Sequence, residues 1–137
     1  MKWSFSHTEH TAGSRDDVWR LWSDVASWPT WDAGVETVAL DGPFAAGTTG
    51  RLKPAGSKPV GIRLLEARPG EGFVDETRLP LATMRFEHSL ADDGDGTLIT
   101  HRVTISGPLT PLWKRVIGRD FVRELPGTVR SLAEHAA

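Results

Sequence analysis

The sequence predicts an α+β fold: an antiparallel sheet with a long C-terminal helix lying against it. Three observations carry this. Six extended segments follow one another between residues 35 and 106, separated by short turns. Helical periodicity is confined to the stretch after the first strand and to the end of the chain. The closing helix carries an apolar stripe that must be buried against something.

The elements follow in order. Trp3 to Thr11 alternates and reads as a strand. Ser14-Arg15-Asp16-Asp17 forms a capping box, with Ser14 as N-cap and Asp17 reaching back to its amide. Val18, Leu21, Trp22 and Val25 then recur at helical spacing. Pro29 disfavours a helical Trp28 and is expected to end that region. The strands to come are Val35–Leu40, Thr48–Lys53, Val60–Ala67, Gly72–Leu79, Ala82–Leu90 and Leu98–Ser106. Leu79-Pro80-Leu81-Ala82 is short enough for a tight hairpin. DDGDG, residues 92–96, is a hairpin turn, because Gly and Asp tolerate positive φ. Thr110 is the expected N-cap of the last helix, with Pro111 at its first position. Its stripe is Trp113, Ile117, Phe121, Leu125, Val129 and Leu132, and Pro126-Gly127 is expected to kink it. A kink there would leave a gap between helix and sheet.

Length and composition set the bounds. The 137 residues suit one domain, 1–137, large enough for a core of its own. There is no cysteine, which excludes disulfides, thiolate catalysis and Cys-ligated zinc. The net charge is −2 with acids and bases interspersed, so no basic stripe points to nucleic acid or an anionic membrane. MKWSFSHTEH lacks the apolar core of a secretory signal, and no run approaches a membrane span. A cytoplasmic protein is the expectation. There is also no tyrosine, so no phenol is available as acid or oxyanion donor.

The segment VWRLWSDVASWPTWDAGVETVALDGPFAAGT resembles the opening of small bacterial polyketide cyclase/dehydrase-like proteins of the START/Bet v 1-like (SRPBCC) superfamily. The similarity continues through GFVDET, MRFEHSL and GTLITHRVTISGPL to RDFVRELPGTVRSLAE, nearly the whole chain. The resemblance implies a helix-grip fold: a seven-stranded antiparallel curved sheet wrapped around the C-terminal helix, with short helices after the first strand and a hydrophobic cavity between. It also implies binding of lipids, polyketides, steroids or hormones, and in some members cyclisation or dehydration.

Parity places candidate residues. Met84, Phe86, His88 and Leu90 share one face of their strand, and Ile99, His101, Val103 and Ile105 share the matching face of the next. If Leu90 pairs with Ile99, His88 lies directly across from His101, close enough for the rings to touch. A one-residue slip would turn one strand outward. Phe73, Asp75 and Thr77 continue the same face, which makes Asp75 the nearest acid, although the alternation in GFVDETR leaves Glu76 as the other choice. His88, His101 and Asp75 are thus the candidate catalytic residues, a carboxylate orienting an imidazole that moves a proton. The competing reading is a buried, neutral histidine pair with a structural role. Phe73, Thr77, Met84, Phe86, Val103, Ile117, Phe121 and Leu125 are the expected lining of the cavity.

Four tryptophans, Trp19, Trp22, Trp28 and Trp31, fall within thirteen residues. Trp19 and Trp22 are assigned to the core. Trp28 and Trp31, flanking Pro29, are assigned to a cavity entrance, where an indole offers a flat surface and one donor. The resemblance places this segment near the cavity. Other motifs carry no chemistry: DDGDG lacks the bidentate glutamate of a calcium loop, no GxxxxGK[ST] or GxSxG occurs, and His7 and His10 have opposite parity. Arg85 and Arg102 fall on the outer face. Neither a metal nor a cofactor is expected.

Two functions follow. The first is binding of a small hydrophobic or aromatic ligand in an internal cavity by a monomer or homodimer. The alternative is a polyketide cyclase, aromatase or dehydratase using a cavity histidine as general acid/base. A third reading, an interaction protein with a vestigial cavity, would need a contiguous exposed apolar patch.

Overall fold

A computed structural model describes residues 1–137. Strand β1 (Lys2–Thr11) leads through a capped helix α1 (Arg15–Ser23), a 3-10 turn (Val25–Ser27) and a single helical turn α2 (Trp28–Trp31). Six strands follow: β2 (Val35–Leu40), β3 (Thr49–Pro54), β4 (Val60–Arg68), β5 (Gly72–Leu79), β6 (Ala82–Asp93) and β7 (Gly96–Ser106). Helical turn α3 (Thr110–Trp113), a π-helical segment (Lys114–Gly118) and helix α4 (Arg119–Ala136) close the chain. All seven strands form one antiparallel sheet in the order β1-β7-β6-β5-β4-β3-β2, which embraces the terminal helix. This is the helix-grip architecture.

Local chemistry accounts for most boundaries. The Ser14 side chain accepts from the Asp17 amide while the Asp17 carboxylate accepts from the Ser14 amide, a complete capping box. The DDGDG turn pairs Asp93 with Gly96 across Gly94, whose φ is +62°. Both flanking strands run closer to that turn than the alternation alone indicates, because the ladder continues through Asp92 and Thr97. Gly13 is required by proximity: a Cβ there would come 1.9 Å from the carbonyl oxygen of Ala136, so the loop after β1 lies directly on the end of α4.

Three expectations change. Pro29 does not end the helical region. Trp28 has helical φ and ψ of −53° and −41°, and Pro29 sits in the first turn of α2, where its missing N–H costs nothing. Thr110 is not an N-cap but the first helical residue. Its hydroxyl donates to the Gly107 carbonyl at 2.8 Å and lies 3.3 Å from that of Met1. The Pro126 segment remains one continuous helix from Arg119 to Ala136, with Leu125 and Val129 buried on either side of it. The irregularity lies a few turns earlier, in the π-helical segment. There Gly118 admits the Trp3 ring; a Cβ would sit 3.3 Å from it.

The inner face of the sheet is a lattice of rows. Thr77, Met84, Ile105 and Trp3 lie in register across β5, β6, β7 and β1. The next row is Asp75, Phe86, Val103 and Phe5, and the next Phe73, His88, His101 and His7. Val18 and Trp22 of α1, and Leu125, Val129 and Leu132 of α4, pack over this face to form the main core with Leu64, Phe73 and Ile99.

Candidate functional site

The histidine row stands at the centre of the grip. The imidazoles of His88 and His101 meet edge to face with centroids 4.5 Å apart. Their pairing follows from the two-residue hairpin and strict alternation, so each step from Leu90↔Ile99 carries the next inward pair. Gly72 at the start of β5 lets the strands close here: a Cβ would come 2.2 Å from the His88 carbonyl oxygen.

Aromatic rings surround the pair. Phe73 stacks flat on His88 at 3.8 Å and 6°. Trp22 lies 5.8 Å from each imidazole, and Trp31 lies 6.3 Å from His101. Trp28 flanks Phe73 at 5.9 Å, and Phe44 covers Phe73 at 5.0 Å from the loop between β2 and β3. The centre is therefore filled by rings rather than left open as a gap between helix and sheet. Two shallow hollows lie elsewhere on the surface, one beside Trp3 and the π-helical segment and one beside Gly50 and Pro59.

This revises the division of the tryptophans. Trp28 and Trp31 are 5% and 4% exposed and belong to the core, not to a rim, and Trp28 donates its indole N–H to the Trp22 carbonyl at 2.9 Å. Trp22 is fully buried as expected. Trp19 is only half-buried and packs on Phe44 at 5.5 Å. The reason is the helical turn at Pro29, which folds both of its indoles inward.

Asp75 is the inward acid, 4% exposed. Glu76 faces outward and bonds Arg85 at 2.9 Å. Asp75 Oδ1 is 4.0 Å from His88 Nδ1, too far for a hydrogen bond. His88 Nδ1 instead lies 3.2 Å from the Phe73 carbonyl, so Nδ1 carries the proton and donates there. Burial governs the charges: it raises Asp75 to about 7 and lowers His88 to about 3, a loss only partly offset by the bond to Phe73. His101 is lowered well below its ordinary value by burial, with His88 and His7 adding repulsion. The cluster is thus two neutral imidazoles and a carboxyl poised near neutrality.

Four buried polar atoms in and around it have no hydrogen-bond partner within the protein chain: Trp22 Nε1, Trp31 Nε1, Asp75 Oδ1 and His101 Nε2. Such atoms are uncommon in native interiors, and each costs about 1–3 kcal/mol unless a partner reaches it. Two indole N–H donors, a carboxyl and an imidazole nitrogen together suit a carbonyl or hydroxyl group.

Of the expected lining, Phe73, Thr77 and Val103 are buried on the inner face, and Met84 and Phe86 are half-buried there. Phe121 meets Phe86 at 5.6 Å, while Leu125 is buried in the main core and Ile117 is half-buried. Phe73 and Leu125 thus pack with the indoles, while Thr77, Met84, Phe86 and Phe121 lie further along the sheet, so the residues form two neighbouring groups. Parity within β1 also puts His7 and Glu9 inward, which comparing His7 only with His10 misses. His7 lies directly across from His101, and its Nε2 is 2.5 Å from Glu9 Oε2. The histidine row therefore runs from the centre to a partly exposed edge.

Comparison with known proteins agrees with this architecture. The aromatase/cyclase Zhui from Streptomyces sp. R1128 superposes with a TM-score of 0.80 at 17% identity, covering 99% of this chain and 94% of Zhui. The di-domain ARO/CYC StfQ of the steffimycin biosynthetic pathway gives 0.78 at 16% identity over 99% of this chain, which spans only 51% of StfQ. Truncated norcoclaurine synthase from Thalictrum flavum gives 0.74 at 12% identity, covering 98% of this chain and 92% of that one. At such identities the likeness is one of fold. No curated protein matches the chain. The family is carried by the sequence itself: the polyketide cyclase/dehydrase and lipid transport model matches residues 2–136, so the chain belongs to that family, within the START/Bet v 1-like superfamily.

Proposed function

We propose that this protein binds a small hydrophobic or aromatic molecule inside the grip, with His88, His101 and Asp75 meeting the ligand's carbonyl or hydroxyl group. The observation that carries this reading is the set of four unpartnered buried polar atoms within a wall of aromatic rings. A ring-lined site with few polar groups suits such ligands. Because rings fill the centre, both room and entry for the ligand require the Phe44 loop and Trp19 to swing from Phe73 and Trp22, which they cover edge-on.

A second reading, cyclisation or dehydration of a polyketide, is favoured by one observation. A carboxyl raised to about 7 beside a neutral imidazole gives and takes a proton near neutral pH. The names of Zhui and StfQ support the same reading. Native mass spectrometry of the freshly purified protein, together with calorimetric titration of 2-naphthol, tests binding. A bound small molecule and saturable 2-naphthol affinity are expected; an empty protein with no 2-naphthol heat contradicts the proposal. His88→Gln and His101→Gln separate the readings. In a carrier, affinity changes by a few-fold and no more; in a cyclase, turnover of a linear poly-β-ketone is abolished while binding survives.

A further inference from the structure

Five large apolar side chains stand exposed, Met1, Leu81, Leu112, Val116 and Val122. The contacts of Gly107 with Met1 and Leu81 and of Leu109 with Leu81, and the hollow shared by Trp3 and Val122, place them at the end where the terminal helix begins. Hydrogen bonds hold several of them together. The Leu81 carbonyl accepts from the Leu109 amide at 3.0 Å, and the Pro80 carbonyl from the Trp113 indole at 3.0 Å, which ties the β5–β6 turn to α3. The Met1 carbonyl accepts from Gly107 at 3.1 Å. Leu112 and Val116 stand four residues apart on the adjoining helical stretch.

Charge is concentrated beside them. Residues 114–123 hold four cations, Lys114, Arg115, Arg119 and Arg123, and one acid, Asp120, in a chain whose net charge is −2. The four cations, Trp3, Gly118 and Val122 line one shallow hollow of about 430 Å³. Arg115, Arg119 and Arg123 stand at spacings of four, a stripe that the interspersed charges of the sequence conceal, and of the four cations only Arg123 has an acidic partner, Asp120.

Leu81 adds an independent sign. It is the one non-glycine residue with positive φ, +53°, and it is 67% exposed. A turn of this kind favours Gly or Asn, and an aliphatic side chain there is both strained and in water. Non-glycine residues held in this conformation cluster at functional sites.

We propose that this end docks on the surface of an anionic lipid bilayer. Leu81, Leu112 and Val116 enter the headgroup boundary, and Lys114, Arg115 and Arg119 meet lipid phosphates. Apolar tips flanked by unpaired cations fit an anionic interface. Nucleic acid would use the cations but leave the exposed leucines and valines in water. Docking is a peripheral contact, since no helix of the chain is long and apolar enough to cross a membrane. It is also independent of what the interior binds.

Co-sedimentation with vesicles tests it, using phosphatidylcholine alone and phosphatidylcholine with a quarter phosphatidylglycerol. The protein is expected to pellet with the anionic vesicles and to remain free with the neutral ones. Arg115→Gln with Arg119→Gln should weaken the partition about thirty-fold. Leu81→Asn should weaken it about ten-fold while its melting temperature stays at or above that of the unaltered protein, because Asn accepts positive φ. Leu112→Ser provides the same reading away from the turn. Failure to pellet with anionic vesicles, equal pelleting with neutral ones, or undiminished binding in both Leu81→Asn and Leu112→Ser overturns the proposal. Tighter binding to a DNA duplex than to the anionic vesicles at equal ionic strength overturns it too.

Discussion

Asp75→Asn is expected to gain stability relative to the unaltered protein as pH rises, by about 3 kcal/mol between pH 5 and pH 8. The folded protein keeps the Asp75 proton up to about pH 7, whereas an unfolded chain releases it near the ordinary 3.8. Within that window the folded state holds more protons, so this carboxyl makes stability fall with rising pH and level off above 7. Asparagine fills the same space and has no proton to lose. Because the two proteins differ only at residue 75, other titrating groups cancel in the comparison. His88 and His101 tilt the curve the other way: their folded values are depressed, so their contribution is lost as pH falls below 6.5. Urea denaturation at pH 5, 6, 7 and 8 measures the difference. A gap that does not change with pH would mean that Asp75 reaches water.

Trp22→Ala has the larger expected effect at a single pH, a loss of about 4 kcal/mol. Trp22 is fully buried and touches Trp19, Phe73, His88 and His101. Removing the indole leaves a cavity that its neighbours, pinned in the sheet and in α1, close only in part. That cavity has aromatic walls and a polar edge, so added indole should restore about 1 kcal/mol when present at several times its dissociation constant. Thermal melts with and without indole check both statements. A loss under about 1 kcal/mol, or no response to indole, would contradict a ring-packed centre.

The strand lattice was legible because its signals are local. The DDGDG turn and the alternation on either side fix the pairing of His88 with His101, and the two-residue turn at Pro80-Leu81 carries it on to Phe73, Asp75 and Thr77. What escaped the sequence is set by contacts between distant segments. β1 joins β7 across nearly the length of the chain, so the place of His7 beside His101 has no local signal. Proline is ambiguous by itself: Pro29 opens a helical turn and Pro126 is carried inside a helix, although both residues read as breakers. Burial of Trp28 and Trp31 follows from that turn. The basic stripe at Arg115, Arg119 and Arg123 becomes visible only when the helical face is known.

The neutral cluster is the feature on which the proposed function depends, and nitrogen-resolved NMR of the imidazoles observes it directly. Spectra of the protein labelled at histidine, taken from pH 8 to pH 5 with and without 2-naphthol, should show His88 and His101 uncharged throughout, with the His88 proton on Nδ1. Addition of 2-naphthol should move the His101 Nε2 resonance. Protonation of either ring near pH 6.5, or resonances indifferent to 2-naphthol at saturation, would contradict a buried polar site built to receive a ligand.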